Sequence, residues 1–376
     1  MSNTLITTDL VARDASILLA NNLVMANLVN RNHEAKFANK IGDTVRVKVP
    51  PVVASRDFID DSSAITDSAI TESSVDLALT EQPYVAVTLS SEQRSLELDD
   101  FNTVVTQPAV SAIREAIEEH LIKVGTQGFQ PYHVGGESSD PSTLAHLIAG
   151  RKQLQDNGAP MENRVGVLST AAEASMLALD QFTSVDYGSS NPMALQEAIL
   201  GRKFGIDWYT SQNCGTMDQS GTAQVSRMAA TEVAAVTTIT VDNGSGTSSG
   251  TITRGSRFTI AGDTQVYTVT ADAVASSGAI ELPITPGLVI QADDNDAISW
   301  KTAAKENLLF VRNSLAGAIV APAPLMVGSS IAFYNGIGIR VSMSSATASL
   351  SDQIVFDCYL GGQVIQVKGG CVIGGV

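Results

Sequence analysis

The segment TQPAVSAIREAIEEHLIKV (residues 106–124) carries five apolar residues, Val110, Ile113, Ile117, Leu121 and Val124, at spacings of three, four, four and three. An α-helix brings residues three and four apart onto one face, so this spacing makes a single apolar stripe. It predicts a long amphipathic helix over 106–125 against which other elements pack. Glu115, Glu118 and Glu119 lie off the stripe. Carboxylates so close together could serve a metal or acid/base chemistry, but off the apolar stripe they read as a solvated face.

Upstream, apolar positions recur at helical spacing from Thr7 to Val29, with asparagines between them that divide the stretch into one or two short helices. In Val45, Val47 and Val49 apolar side chains then alternate with Arg46 and Lys48, the period of a half-buried strand, which Pro50 and Pro51 end. Residues 55–100 are rich in Asp, Ser and Thr, with one further strand expected at 75–79. A second alternating run, Val85, Val87 and Leu89, leads out. Two strands bracketing a long acidic excursion predict a projecting hairpin, and so long a connection is characteristically functional or disordered.

Downstream, a helix is expected over 142–155, ended by Asn157 and Gly158, then a buried strand at 165–168 and a helix at 171–179. From Met228 to Trp300 the chain turns to Thr, Val, Gly, Ser and Asp. Strand-like runs at 238–241, 257–261, 265–270 and 280–284, separated by Gly and Ser turns, predict a small β barrel or sandwich inserted between halves of an α/β body. Further strands are expected at 308–311, 337–341, 354–360 and 364–367.

With 376 residues, the chain is long enough for two or three compact units. Hydrophobic residues make up 44% and charged residues 16%, which suits packed cores. A formal net charge of −16 argues against binding that works by neutralising phosphates and against docking on an anionic membrane. Cys214, Cys358 and Cys371 are odd in number and far apart, so they read as reduced core thiols. The N-terminal residues lack a secretory pattern, and the apolar run 315–328 is interrupted by Pro322 and Pro324.

Motifs for P-loops, zincins, thioredoxins and deaminases are absent. The segment 246–250, GTSSG, matches the GxSxG pattern of hydrolase nucleophile elbows and would make Ser248 the nucleophile. That motif works on a sharp strand-to-helix turn, and here no helix pattern follows, so a flexible turn is the better reading. His33, His120, His133 and His146 form no ligand spacing, and His120 suits a core edge. Asp293, Asp294 and Asp296 lack the Gly and Glu of a calcium loop and read as a turn. No catalytic residue, cofactor or metal is expected.

Several segments together resemble one family. NTLITTDLVARDASILLANNLVMANLVNR (residues 3–31), followed by KIGDTVRVKVP (40–50), is similar to the arm and first loop strand of tailed-phage major capsid proteins. ALQEAILGRKFGIDWYTSQN (194–213) resembles the turn from helix into strand of their axial domain. GTITRGSRFTIAG (250–262) with VYTVTADA (266–273) resembles the first hairpin of an insertion domain, and NLLFVRNSLAGAIVAPAPL (307–325) the strand that re-enters the axial domain. Within that family the chain looks like the coat-protein branch of short-tailed Salmonella phages, which carries an inserted β-barrel domain.

The resemblance implies an α+β chain of the Hong Kong phage (Johnson) fold. Its divisions are an N-terminal arm (1–44), an extended β-hairpin loop (45–90), a peripheral domain with a spine helix (91–160, helix 106–125), an axial domain plus C-terminal return strands (161–227 with 301–376) and a barrel-like insertion (228–300). It implies a non-enzymatic major capsid protein that assembles in the host bacterial cytoplasm into the icosahedral shell of a virion. Its partners are other copies in hexamers and pentamers, a separate scaffolding protein, a portal, and double-stranded DNA enclosed without specific binding, with no membrane. A hydrolase with an appended β module, resting on Ser248, and a surface-layer or adhesion protein remain the alternatives.

Charge adds an expectation about contacts. Residues 30–49 hold Arg31, Lys36, Lys40, Arg46 and Lys48 against Glu34 and Asp43, whereas residues 55–101 hold Arg56 and Arg94 against eleven carboxylates. An acidic hairpin that meets basic surface on the next subunit would use Arg46, Lys48, Asp57, Asp60, Asp61, Glu72 and Asp76 as inter-subunit contacts. Neutralisation within one subunit is the competing outcome.

Overall fold

The computed structural model describes residues 8–38, 43–51, 53, 55, 70, 72–90, 101–135, 139–183, 200–218, 225–244, 248–276, 278–301, 303–325, 328–334, 337–346 and 351–375. The chain is mixed α+β and divides into two units. One comprises 1–21, 30–113 and 316–366, the other 22–29, 114–315 and 367–376. Among the described residues its helices are α1 (Thr8–Asn22), α2 (Met25–Leu28), α3 (Glu34–Ala38), α4 (Gln107–Phe129), α5 (Leu144–Asp156), α6 (Thr170–Leu177) and α7 (Asp180–Thr183).

The helix expected over 106–125 is α4, entered through a π-helical turn at Asn102–Thr106. Val110, Ile113, Ile117 and Leu121 are buried as their spacing requires, and so are Ile122 and Thr126 on a widened face. Glu115 and Glu119 are exposed. Glu118, however, is 3% exposed and belongs to the buried face, which corrects its reading as a solvated side chain. It lies four residues before Ile122, at the edge of the buried face, and its carboxylate accepts the backbone N–H groups of Val24 and Met25, a partner the spacing within α4 does not reveal.

In the first unit, strand Thr44–Val49 pairs antiparallel with Ser73–Ala78. The second alternating run forms Tyr84–Ser90, but its partner is Ser351–Asp357, with Val85 opposite Phe356 and Val87 opposite Ile354. The hairpin expected from the two alternating runs is thus made by the first run and the strand inside the acidic stretch. Tyr84–Ser90 instead edges a four-stranded sheet with Ser351–Asp357, Ile337–Ala346 and Ser329–Tyr334. Alternation marks a strand and its buried face, but cannot choose a partner some 270 residues away. Arg340 grips Asp357 through Nε (2.9 Å) and Nη2 (2.5 Å) across this sheet, and Gln82 donates to the same carboxylate at 2.7 Å.

The second unit contains a sheet in the order His133–Val134, Gly370–Ile373, Asn307–Val311, Arg164–Leu168, Ile206–Thr210, Arg202–Lys203. Helix α5 lays Leu147 and Leu154 on it among Leu309, Cys371, Ile373 and Trp208. Gly166 is needed opposite Trp208 on the neighbouring strand, since a Cβ there would come within 2.3 Å of the indole's Cε3 and Cζ3. Of the stretch 301–376, expected to hold axial-domain and C-terminal return strands, Asn307–Val311 and Gly370–Ile373 pair here, while the strands from Ser329 to Asp357 belong to the first unit's sheet.

The composition shift near Met228 marks a real change of architecture. Six strands follow one another in the order Ile298–Trp300, Arg257–Ile260, Tyr267–Val269, Ile280–Thr285, Thr238–Asp242, Arg227–Met228. A bridge between Arg227 and Ala297, with Ile298 N–H donating to the Ser226 carbonyl at 2.8 Å, joins the last strand to the first. The sheet closes into a barrel with its own core of Ile239, Val241, Phe258, Tyr267, Ile280, Leu282 and their neighbours. Strands Thr216–Asp218 and Ala303–Lys305, which flank it in sequence, pair antiparallel. The chain therefore leaves for the barrel and returns from it side by side.

Candidate assembly surface

The hairpin of Thr44–Val49 and Ser73–Ala78 has two chemically distinct faces, which the register sets. Val45 opposes Leu77 and Val47 opposes Val75 on one face, and Arg46 opposes Asp76 on the other. The apolar face packs on Phe37 of α3 and on Ala316, Ala318 and Ile365. The outer face carries charge: Arg46 Nε lies 3.2 Å from Asp76 Oδ1, and Lys48 Nζ lies 2.8 Å from Glu72 Oε2. All four side chains are more than half exposed. Each such pair is worth only ~0–1 kcal/mol and exchanges readily with another partner.

Of the seven candidate contact residues, the structure brings Arg46, Lys48, Glu72 and Asp76 together on one ribbon. Asp57, Asp60 and Asp61 lie outside the described residues. The alternation of Val45, Val47 and Val49 is the signal that located the ribbon. What the spacing could not show is that the two charges between those valines meet carboxylates of their own chain.

A second polar device anchors the base of the hairpin's unit. Glu34 on α3 pairs with Arg31 at 2.6 Å, and its Oε1 also accepts the Ile319 N–H at 3.0 Å. Burial pushes the Glu34 carboxyl up, against the pull of Arg31. In the second unit Asp140 accepts from the Ser169 hydroxyl and from Asn307 Nδ2 (3.0 Å). Ser169 caps α6 by accepting the Ala172 N–H at 3.1 Å. This network ties a loop, a helix start and a strand together.

Ser248 is buried and leads into strand Thr251–Ile252, not into a helix, so the exposed strand-to-helix elbow that GxSxG chemistry requires is not formed. His146 Nδ1 accepts the Ser142 N–H at 3.2 Å beside the start of α5. His133 is held at about 3 by burial and by the charge of Arg257. Asp293 and Asp296 bond each other's backbone in a tight turn. Burial pushes the thiols of Cys214, Cys358 and Cys371 up to about 12, far from nucleophilic use. Among the described residues, no three His, Cys, Asp or Glu side chains are grouped to hold a metal, and no helix is long and apolar enough to cross a membrane.

Known proteins give this geometry a context. No family model matches the sequence, and no curated protein matches it. Among solved structures, one titled "Mycobacterium phage Che8" aligns over 93% of this chain and 90% of its own, at a TM-score of 0.55 and 14% identity. The chain shares its fold with a phage structure. Two further alignments, "Capsid structure of the Cyanophage P-SCSP1u" and "Capsid of native GTA particle computed with C5 symmetry", have TM-scores of 0.48 and 0.49. They cover 89% and 100% of this chain and 84% and 93% of theirs, at 10% and 8% identity. The near-complete mutual coverage with the Che8 phage structure means that the likeness takes in both units, not one shared module.

Proposed function

We propose that this chain is a major capsid protein, a subunit that builds the icosahedral shell around the double-stranded DNA of a tailed phage. The observation that carries the reading is the whole-length likeness to a phage structure, 93% of this chain against 90% of the other. The hairpin fits the role: a ribbon with an apolar inner face and a charged outer face gives its own subunit an anchor and its neighbour a surface. Repetition of weak contacts around symmetry axes then closes a container without any strong single interaction.

On this reading the copies form hexamers and pentamers, assembly in the bacterial cytoplasm uses a scaffolding protein and a portal, and the DNA is enclosed but not gripped. The closed barrel between two paired flanking strands supports placement in the coat-protein branch with an inserted domain. The outer hairpin charges, with Asp57, Asp60 and Asp61, form the inter-subunit contact. Electron microscopy of the overexpressed chain, alone and with a co-expressed scaffolding partner, tests the reading. Uniform closed shells are expected, and a species that stays monomeric under both conditions would overturn it.

A further inference from the structure

Glu118 reaches from α4 to a segment far away in the sequence. Its Oε1 accepts the N–H groups of Val24 at 2.7 Å and Met25 at 2.9 Å, and its Oε2 accepts that of Met25 at 3.1 Å. These two amides open α2, where Val24 occupies the cap position with a side chain that cannot accept a hydrogen bond. A carboxylate 94 residues away thus does the work of a missing cap. The backbone of Val24, Met25 and Ala26 lies against the carboxylate, and Met25, Ala26 and Glu118 are all buried.

We propose that Glu118 is a proton-responsive tether that pins residues 24–28 to the middle of α4, firmly when the carboxyl is protonated and more loosely when it is ionised. The direction follows from burial. With the segment docked, desolvation raises this carboxyl from an ordinary 4.5 to about 7, against the pull of the backbone amides and of Arg114. Because Val24, Met25 and Ala26 themselves cover the group, lifting them returns it to water and to its ordinary value. Docking therefore takes up a proton, and lowering the pH from neutrality tightens it.

Among the described residues, two titratable groups face Glu118. Arg114 lies one turn earlier on the same helix, and Cys214 comes from the loop after Ile206–Thr210 with a thiol that stays neutral. The segment 24–28 brings none of its own. Values of about 7 docked and 4.5 free give an expected change of about 30-fold in the docking equilibrium between pH 8 and pH 5.5.

Amide hydrogen exchange of the full chain, corrected for the intrinsic pH dependence of exchange, reads this directly at Val24 and Met25. In the wild type, protection is expected to rise about 30-fold from pH 8 to pH 5.5. Glu118→Gln, which cannot ionise, should be equally protected at both values, and Glu118→Ala, which leaves both amides without an acceptor, should be weakly protected at both. Wild-type protection that is flat, or that falls on acidification, overturns the tether whatever the variants do. So does a pH slope that survives in Glu118→Gln. The measurement needs no shell, so its outcome is separate from that of the capsid reading.

Discussion

Glu118 and His133 belong to the same unit and respond to acid in opposite directions. The folded state holds the Glu118 proton more tightly than the unfolded chain does, so its contribution to stability is fully present below pH 4.5 and is lost as pH rises through about 7. His133, depressed from 6.5 to about 3, resists protonation when folded, so its contribution is present above 6.5 and is lost as pH falls. Over the range between 4.5 and 6.5 the two linkages cancel. Glu118→Gln removes one side of that balance. Relative to wild type it should lose about 3 kcal/mol more between pH 7 and pH 4.5, since each tenfold difference in proton affinity between the folded and unfolded chain is worth about 1.4 kcal/mol. Denaturant unfolding at the two pH values measures this, and parallel pH dependence in the two proteins would refute it. None of this was legible in the sequence. The pattern EAIEEHLI shows where the apolar stripe runs, but the burial of its middle carboxylate depends on a segment that arrives from residues 23–29.

Long periodic elements were readable because their burial is one-sided and repeats. The α4 stripe became a helix and the runs at Val45 and Val85 became strands, the second in a sheet other than the expected hairpin, and within the barrel Ile280, Leu282 and Ile284 point inward as their alternation requires. The strands that close the barrel were not readable. Arg227–Met228 has two residues and Ile298–Trp300 three, too short for any period to show. The hairpin charges stand between these cases, legible as residues but not as pairs. A double reversal, Arg46→Glu with Lys48→Glu, places four carboxylates on one exposed face. Because the pairs are exposed, the subunit should keep its fold, with a stability change of ~0–2 kcal/mol for the two pairs together, while shell formation falls sharply. Adding Glu72→Lys and Asp76→Arg restores pairing within the ribbon. If the face meets a neighbour, sedimentation should show that assembly stays impaired in this fourfold variant. Full recovery would mean that the charges serve only their own hairpin.

At the scale of the whole molecule, 23 basic residues against 39 acidic ones bear on the proposed role, because they set how a shell of such chains would treat DNA inside it. Duplex DNA carries one charge per about 1.7 Å, and a protein holds it by releasing counterions from the phosphates it neutralises. A subunit with a net charge of −16 has no surplus to do this, and its barrel region, residues 228–300, sets Arg254 and Arg257 against eight carboxylates. For a container that property is useful: a wall that bound phosphate tightly would hold each turn of DNA where it first touched and oppose its passage in and out. If the chain builds the proposed shell, repulsion between wall and polymer would leave the genome free to slide, with closure of the shell, not affinity, retaining it. The unassembled chain should therefore fail to retard duplex DNA in a gel at micromolar protein even at about 50 mM salt, where phosphate-neutralising proteins bind most strongly. Retardation that weakens linearly in log affinity against log salt would show a phosphate-binding surface, and would mean that the charge is distributed to grip the genome.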